Sequence, residues 1–188
     1  MIKVIAFDLV GVLIREKDID LSTEEDKIER LFGPNISDSE FMMKARDIIS
    51  NDSVLMRTTE GIIDRLYEVR EPRLFQKLKE KYPDIKIVIA TNHVSYIRNY
   101  IGEMFGLNYL DDFYISAELH KIKPNKDFYE YILNDLNIKS EEMLFLDDNQ
   151  DNVIGAEKLG INTIKINKDT NIFDSIDAWL KINNFYNN

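Results

Sequence analysis

Cysteine is absent from this chain, so disulfides, thiolate nucleophiles and Cys-based zinc sites are all excluded. Histidine is almost as scarce: His93 and His120 are the only two, too few for a multi-histidine metal site. Positive charge is in deficit, with 24 Lys and Arg against 34 Asp and Glu and a formal net charge of -10. Attraction to phosphate-rich surfaces needs basic patches, so neither nucleic acid nor an anionic membrane is an expected partner. A small anionic substrate needs only one or two well-placed lysines. No apolar run is long enough to span a membrane, and the short one at the start lacks the cationic region and small-residue cleavage site of a signal peptide. A cytoplasmic protein is expected.

What the chain does have, over 188 residues with 44% hydrophobic content, is material for one substantial core with a smaller insert. Five apolar runs read as strands: residues 2–7, 86–91, 113–116, 143–146 and 163–166. They are nearly continuous in Val, Ile, Leu and Phe rather than alternating, as expected of parallel strands covered on both faces. Amphipathic helices over 94–105, 125–136 and 152–159 separate the last four, so the expected fold is a doubly wound α/β core with a parallel sheet. The gap between the first two strands, about residues 15–82, is far longer than one crossover needs. It starts helices repeatedly and offers no convincing strand. In "STEEDKIERLFGP" Ser22 and Glu25 stand at capping-box spacing, Ile28, Leu31 and Phe32 share a face, and Gly33 and Pro34 form a stop. Further helical stretches follow near 38–49, 59–67 and 72–81. The last serves as the true crossover, which leaves residues 16–70 as a helical insert between 1–15 and 71–188, placed to cover whatever Asp8 does.

Chemistry-bearing side chains stand at the expected strand ends. Asp8 closes the first strand in "KVIAFDLVGVLI", Thr91 and Asn92 follow the second in "IVIATNH", Lys123 lies in "ELHKIKPNKDFY", and Asp147 and Asp148 end the fourth in "MLFLDDNQDN". Taken singly these are turn formers, helix starts and solvated lysines. The paired acids are the most specific, because adjacent carboxylates after a buried strand repel one another unless a cation or a cap shares them. In an open parallel sheet, ligands bind beyond the carboxyl ends of the strands where the winding reverses, and all four groups belong to that edge.

These motifs, with "FLDDNQDNVIGAEKLG" and the insert between the first and second, resemble the haloacid dehalogenase-like hydrolase superfamily over nearly the whole chain, in its capped phosphatase branch and its glucose-1-phosphatase type. The resemblance implies strand order 5-4-1-2-3 with the first and fourth strands adjacent. It also implies a small phosphorylated metabolite as substrate and Mg2+ as cofactor. Asp8 would be the nucleophile, forming an aspartyl-phosphate. Asp8, the Val10 carbonyl and Asp148 would hold the metal, with Asp147 either a further ligand or an outer partner and Asn152 a further ligand or water-holding residue. Thr91 and Asn92 would bind the phosphoryl oxygens, and Lys123 would neutralise the charge.

Two positions depart from the family pattern. Its phosphatases usually carry a second Asp two residues after the nucleophile as proton shuttle, where this chain has Val10. General acid–base catalysis is worth about 10² to 10⁴ in rate, so the expected substrate is one whose leaving group departs easily, such as an anomeric or acyl phosphate. His120 stands where a Gly is usual, and is a candidate for the missing proton function. The acidic pair argues against the metal-free dehalogenases, and the insert lysines Lys17, Lys27 and Lys44 show no signature of a Schiff-base phosphonate hydrolase. The competing readings are a protein that binds a phosphometabolite or a partner without turnover, and a phosphate-receiving signalling domain. The latter carries its acidic pair after the first strand and has no insert. Phe41, Met42, Met56 and Tyr67 are candidates for an apolar lid.

Overall fold

The computed structural model describes residues 1–33 and 37–183. A five-stranded sheet with order β5-β4-β1-β6-β7 is formed by β1 (Val4–Phe7), β4 (Lys86–Thr91), β5 (Asp112–Ile115), β6 (Met143–Asp147) and β7 (Asn162–Lys165), every neighbour pair parallel. The continuous apolar runs divide by parity between the two faces. Ile5, Phe7, Ile87, Ile89, Leu144 and Leu146 pack in one cluster with side chains of α4 (Leu74–Lys81), α5 (Ile97–Phe105) and α9 (Ile172–Ile182). Val4, Ala6, Val88, Ala90, Met143 and Phe145 pack in the other with those of α7 (Lys126–Asp135) and Ala156 of α8 (Gln150–Glu157). Phe128 and Tyr129 are fully buried there, and Trp179 packs partly buried against the first cluster. The strand order is the expected one, and it sets β1 and β6 side by side at the reversal. Among the described residues no helix is long and apolar enough to cross a membrane.

The long connection between β1 and β4 differs from expectation in one respect: it contains strands. β2 (Ile14–Glu16) pairs antiparallel with β3 (Tyr67–Val69), a ribbon of three residues a side through which the chain leaves the sheet region and returns. Three residues are too few to display a period of two. Between them run α1 (Thr23–Glu29), α2 (Asp38–Ala45) and α3 (Asp52–Leu66). Capping boxes open α1 at Ser22 with Glu25 and α2 at Ser37 with Glu40. The stop after α1 falls partly on Pro34, outside the described residues. α3 starts at Asp52 rather than near residue 59, because Asn51 caps it by accepting from the Val54 N–H at 3.1 Å. Its buried stripe of Leu55, Thr59, Ile62, Ile63 and Leu66 has helical spacing that the flanking polar residues obscure. α2 ends at Ala45 and α5 begins only at Ile97, each shorter than its sequence stretch.

Of the four lid candidates, Phe41 and Tyr67 are 0% and 4% exposed and belong to the core. Phe41 lies 6.0 Å from Phe32 and 5.5 Å from Tyr96 between ring centres. Met42 is half-buried and Met56 exposed. These aromatics hold the helices together rather than facing a substrate.

Candidate active site

The carboxyl ends of β1 and β6 bring Asp8 beside Asp147, and Lys123 enters between them. The Lys123 ammonium lies 2.7 Å from Asp8 Oδ1 and 2.7 Å from Asp147 Oδ2. All three side chains are nearly withdrawn from water. Burial pushes the Asp8 carboxyl up to about 6; Lys123 opposes that rise and Asp147 reinforces it. Burial alone would lower the lysine, but the two carboxylates outweigh it and hold the ammonium above its usual range. Two buried acids facing one buried base leave the cluster with excess negative charge, which a cation would offset.

Asp147 is hydrogen-bonded on both oxygens. Oδ1 accepts from the Asn149 N–H at 2.7 Å, and the Asn152 amide donates to Oδ1 and Oδ2 at 3.1 and 3.0 Å. Asn152 is thus brought to the site, but its amide is turned to Asp147. Tyr129 donates to the Asn152 carbonyl at 2.8 Å, fixing the start of α8. Asp148 is exposed, and burial of part of its surface and the neighbouring Asp147 raise its carboxyl. One ligand atom from each of Asp8, Asp147 and Asp148 lies within 4.8 Å of the others. An all-oxygen carboxylate set of this kind suits a hard divalent cation of the magnesium class.

Gly11 explains how Asp148 comes so close. With φ of +88°, a Cβ on it would sit 2.2 Å from Asp148 Oδ2, so the turn needs glycine both for its conformation and for the space. Gly11→Ala is therefore expected to displace the Asp148 carboxylate. The magnesium concentration giving half-maximal activity should rise at least about tenfold while circular dichroism shows an intact fold. An unchanged magnesium dependence would refute this. Val10, half-buried against the core, shares with Gly11 and Asp148 the wall of a cleft of about 890 Å³, which Arg15, Lys17, Arg70 and Lys165 also line.

On the other side of Asp8, Thr91 ends β4 almost completely buried. The Asn92 side chain does something that sequence reasoning missed. Its amide donates to the Lys123 carbonyl at 2.9 Å and its oxygen accepts from the Lys123 N–H at 3.0 Å, so it clamps the backbone that presents the lysine. Gly155 in α8 was also missed: a Cβ there would lie 2.7 Å from the Pro124 carbonyl oxygen, so its absence lets the helix close on the lysine loop. Neither signal is local in sequence. His93 was passed over too. Its Nδ1 faces the Val94 carbonyl at 3.1 Å and its Nε2 faces the Tyr67 hydroxyl at 3.1 Å. A carbonyl only accepts, so Nδ1 carries the proton and Nε2 accepts from Tyr67. Burial lowers this imidazole to about 4, so it stays neutral and ties the Thr91 loop to β3.

His120 is exposed and adopts φ 52°, ψ 33° at the end of α6 (Ser116–Leu119). That left-handed conformation accounts for glycine being usual at the position. The Glu40 carboxyl of α2 is held low by hydrogen bonds from the Ser37 N–H and hydroxyl.

A family model described as haloacid dehalogenase-like hydrolase matches residues 5–166. A segment of 82 residues is 32% identical to drimenol cyclase drtB of Aspergillus calidoustus, of which it spans 16%. Over 86% of this chain and 82% of the relative, identity to the pyrophosphatase PpaX of Halalkalibacterium halodurans is 23%. Identity to D-ribitol-5-phosphate phosphatase of Bacteroides thetaiotaomicron is 24%, covering 88% of this chain and 92% of the relative. Among solved structures, a predicted HAD-like family hydrolase of Porphyromonas gingivalis superposes with TM-score 0.75 at 23% identity, over 96% of this chain and 98% of that one. A HAD family enzyme of B. thetaiotaomicron, crystallised with magnesium and inorganic phosphate, gives TM-score 0.71 at 19% identity over 93% and 99%. These structural likenesses establish the shared fold.

Proposed function

The chain belongs to the haloacid dehalogenase-like hydrolases, and from that membership we propose that it is a magnesium-dependent phosphatase acting on a small phosphorylated metabolite through an aspartyl-phosphate on Asp8. The observation that carries the reading is the Lys123 ammonium held 2.7 Å from both Asp8 and Asp147 beside Asp148. A purely structural ion pair does not call for a third carboxylate at its mouth. Relatives named as a pyrophosphatase and a sugar-alcohol phosphate phosphatase support the substrate class.

Asp8, the Val10 carbonyl and Asp148 would hold the ion, and the hydrogen bonding of Asp147 on both oxygens suits it to the outer role of orienting Lys123. Bound there, magnesium supplies the positive charge that lets an anionic phosphate approach carboxylates. Asp8 attacks phosphorus and the bond to the leaving oxygen breaks. Lys123 neutralises charge on Asp8 and on the transferring group, while the Thr91 hydroxyl and the Asn92 N–H donate to its oxygens. Water then attacks phosphorus, releasing phosphate and restoring Asp8. In neither step does Val10 move a proton, so leaving groups that depart unprotonated are favoured: anomeric, acyl or anhydride phosphates. Residues 16–70 would act as the cover of the site and select the substrate.

Val10 also motivates a second reading, a protein that binds a phosphometabolite without turnover. One experiment separates the two: release of phosphate from an aryl phosphate, with and without magnesium and after chelation. Turnover that appears only with the divalent cation is expected. Activity indifferent to chelation would remove the metal from the mechanism, and no turnover on any activated phosphate would leave the binder.

A further inference from the structure

Arg70 carries no signal in the sequence, yet its half-buried side chain joins three segments of the site. Its backbone N–H donates to the Leu13 carbonyl at 2.9 Å, which fixes the end of β3 against the start of β2. From there Nη1 reaches the Gly11 carbonyl at 2.6 Å, and Nη2 reaches the carbonyls of Lys168, Asn167 and Thr170 at 2.8, 3.0 and 3.3 Å. One planar cation thus spans the loop after Asp8, the chain returning from the helical insert, and the loop after β7. All four of these acceptors are backbone carbonyls.

We propose that Arg70 is a positioning residue for the metal-binding loop: by holding the Gly11 peptide it orients the Val10 carbonyl and keeps Asp148 in place. The inference rests on the reading of Asp8, Val10 and Asp148 as an ion site. The Gly11 N–H donates to the Ile14 carbonyl at 2.8 Å. Because that peptide is planar and trans, the Val10 carbonyl points the opposite way. The following peptide is held at its oxygen by Arg70. With both peptides around the Gly11 Cα anchored, its φ of +88° is fixed. The Asp148 carboxylate, 2.2 Å from where a Gly11 Cβ would be, moves if that turn moves. A lysine would satisfy one of these carbonyls but not the fan of them, since only the guanidinium offers a rigid fork of donors.

The test compares wild type, Arg70→Met and Arg70→Lys by calorimetric titration with magnesium, together with kcat and KM on an aryl phosphate at saturating magnesium. Arg70→Met is expected to weaken magnesium binding at least about tenfold and to lower kcat more than it raises KM. Arg70→Lys, which keeps the charge and one donor direction, should show a smaller loss of the same kind. If thermal stability falls in both variants while magnesium affinity and kcat stay at the wild-type level, Arg70 is a strut and the proposal is overturned. Wild-type protein that binds no magnesium would overturn the ion site itself, and this inference with it.

Discussion

Asp8→Asn is expected to abolish turnover and, in the metal-free protein at neutral pH, to raise the melting temperature. The first effect follows from chemistry, because an amide of the same shape does not attack phosphorus. The second follows from the position of Asp8 in a cluster with two buried carboxylates and one ammonium. Its carboxyl is raised to about 6 from an ordinary 3.8, by burial first and with Asp147 adding to the push, despite Lys123 at 2.7 Å. A group whose folded value lies above its unfolded one takes up a proton more readily in the folded state. Its contribution to stability is therefore full below about 3.8 and lost as pH rises through about 6. At pH 7 the ionised Asp8 costs the apo fold a few kcal/mol on this reasoning, at about 1.4 kcal/mol per pH unit of displacement. The neutral amide removes that cost, while Lys123 keeps Asp147 as a partner. A gain of about 5 °C is expected, given the few degrees per kcal/mol typical of a chain this size. The gain should shrink as pH is lowered through 6 and vanish near 4, and excess magnesium should stabilise wild type more than the variant. Thermal melts of both proteins over that pH range, with and without the cation, provide the check. A variant less stable than wild type at pH 7 would show that the Lys123 pairing outweighs the burial of charge.

This tension between a costly charge and a needed one is also why the core was easier to read from sequence than the rest. The sheet was legible because β1, β4 and β6 are covered on both faces, so their runs are apolar at every position and cannot be mistaken for surface. The meeting of Asp8 and Asp147 was legible because a carboxylate at the end of such a run has to be neutralised by something, and Lys123 lies 2.7 Å from both. The β2–β3 ribbon was not, since Arg15 pairs with Glu68 on strands too short for any pattern, and exposed charged residues look like loop. Asn92, Gly155 and Arg70 were illegible for a different reason. Each is defined by a backbone group far away in the chain, at Lys123, at Pro124 and at Gly11 with 167–170. No local composition encodes such a partner. His120 shows the same limit from the other side: it occupies a left-handed turn that the residue type does not announce.

Val10→Asp is expected to raise turnover of alkyl phosphates by up to two or more powers of ten and of aryl phosphates by less, the range general acid–base catalysis spans. Two steps need a proton moved, and they respond differently. Departure of an alkoxide requires an acid, whereas an aryl oxide leaves without one. Hydrolysis of the aspartyl-phosphate requires a base for water whatever the substrate was. In wild type, an aryl phosphate should therefore phosphorylate Asp8 readily and then wait, giving a burst of phenol and a phosphoenzyme visible by intact mass. An alkyl phosphate should stall before that point. The new carboxyl would relieve both steps for the alkyl substrate and only the second for the aryl one, so the burst should disappear as the steady rate rises. Its effect is reduced by its surroundings: Val10 is half-buried and shares its cleft with Asp148, and both burial and a neighbouring carboxylate raise a carboxyl's pKa. A raised value suits the acid role better than the base role, so the alkyl gain is expected to survive even if the burst persists. Unchanged rates on both substrates, in a variant shown to be folded and to bind magnesium, would mean that the proton already moves by another route, and His120→Gln would be the next comparison.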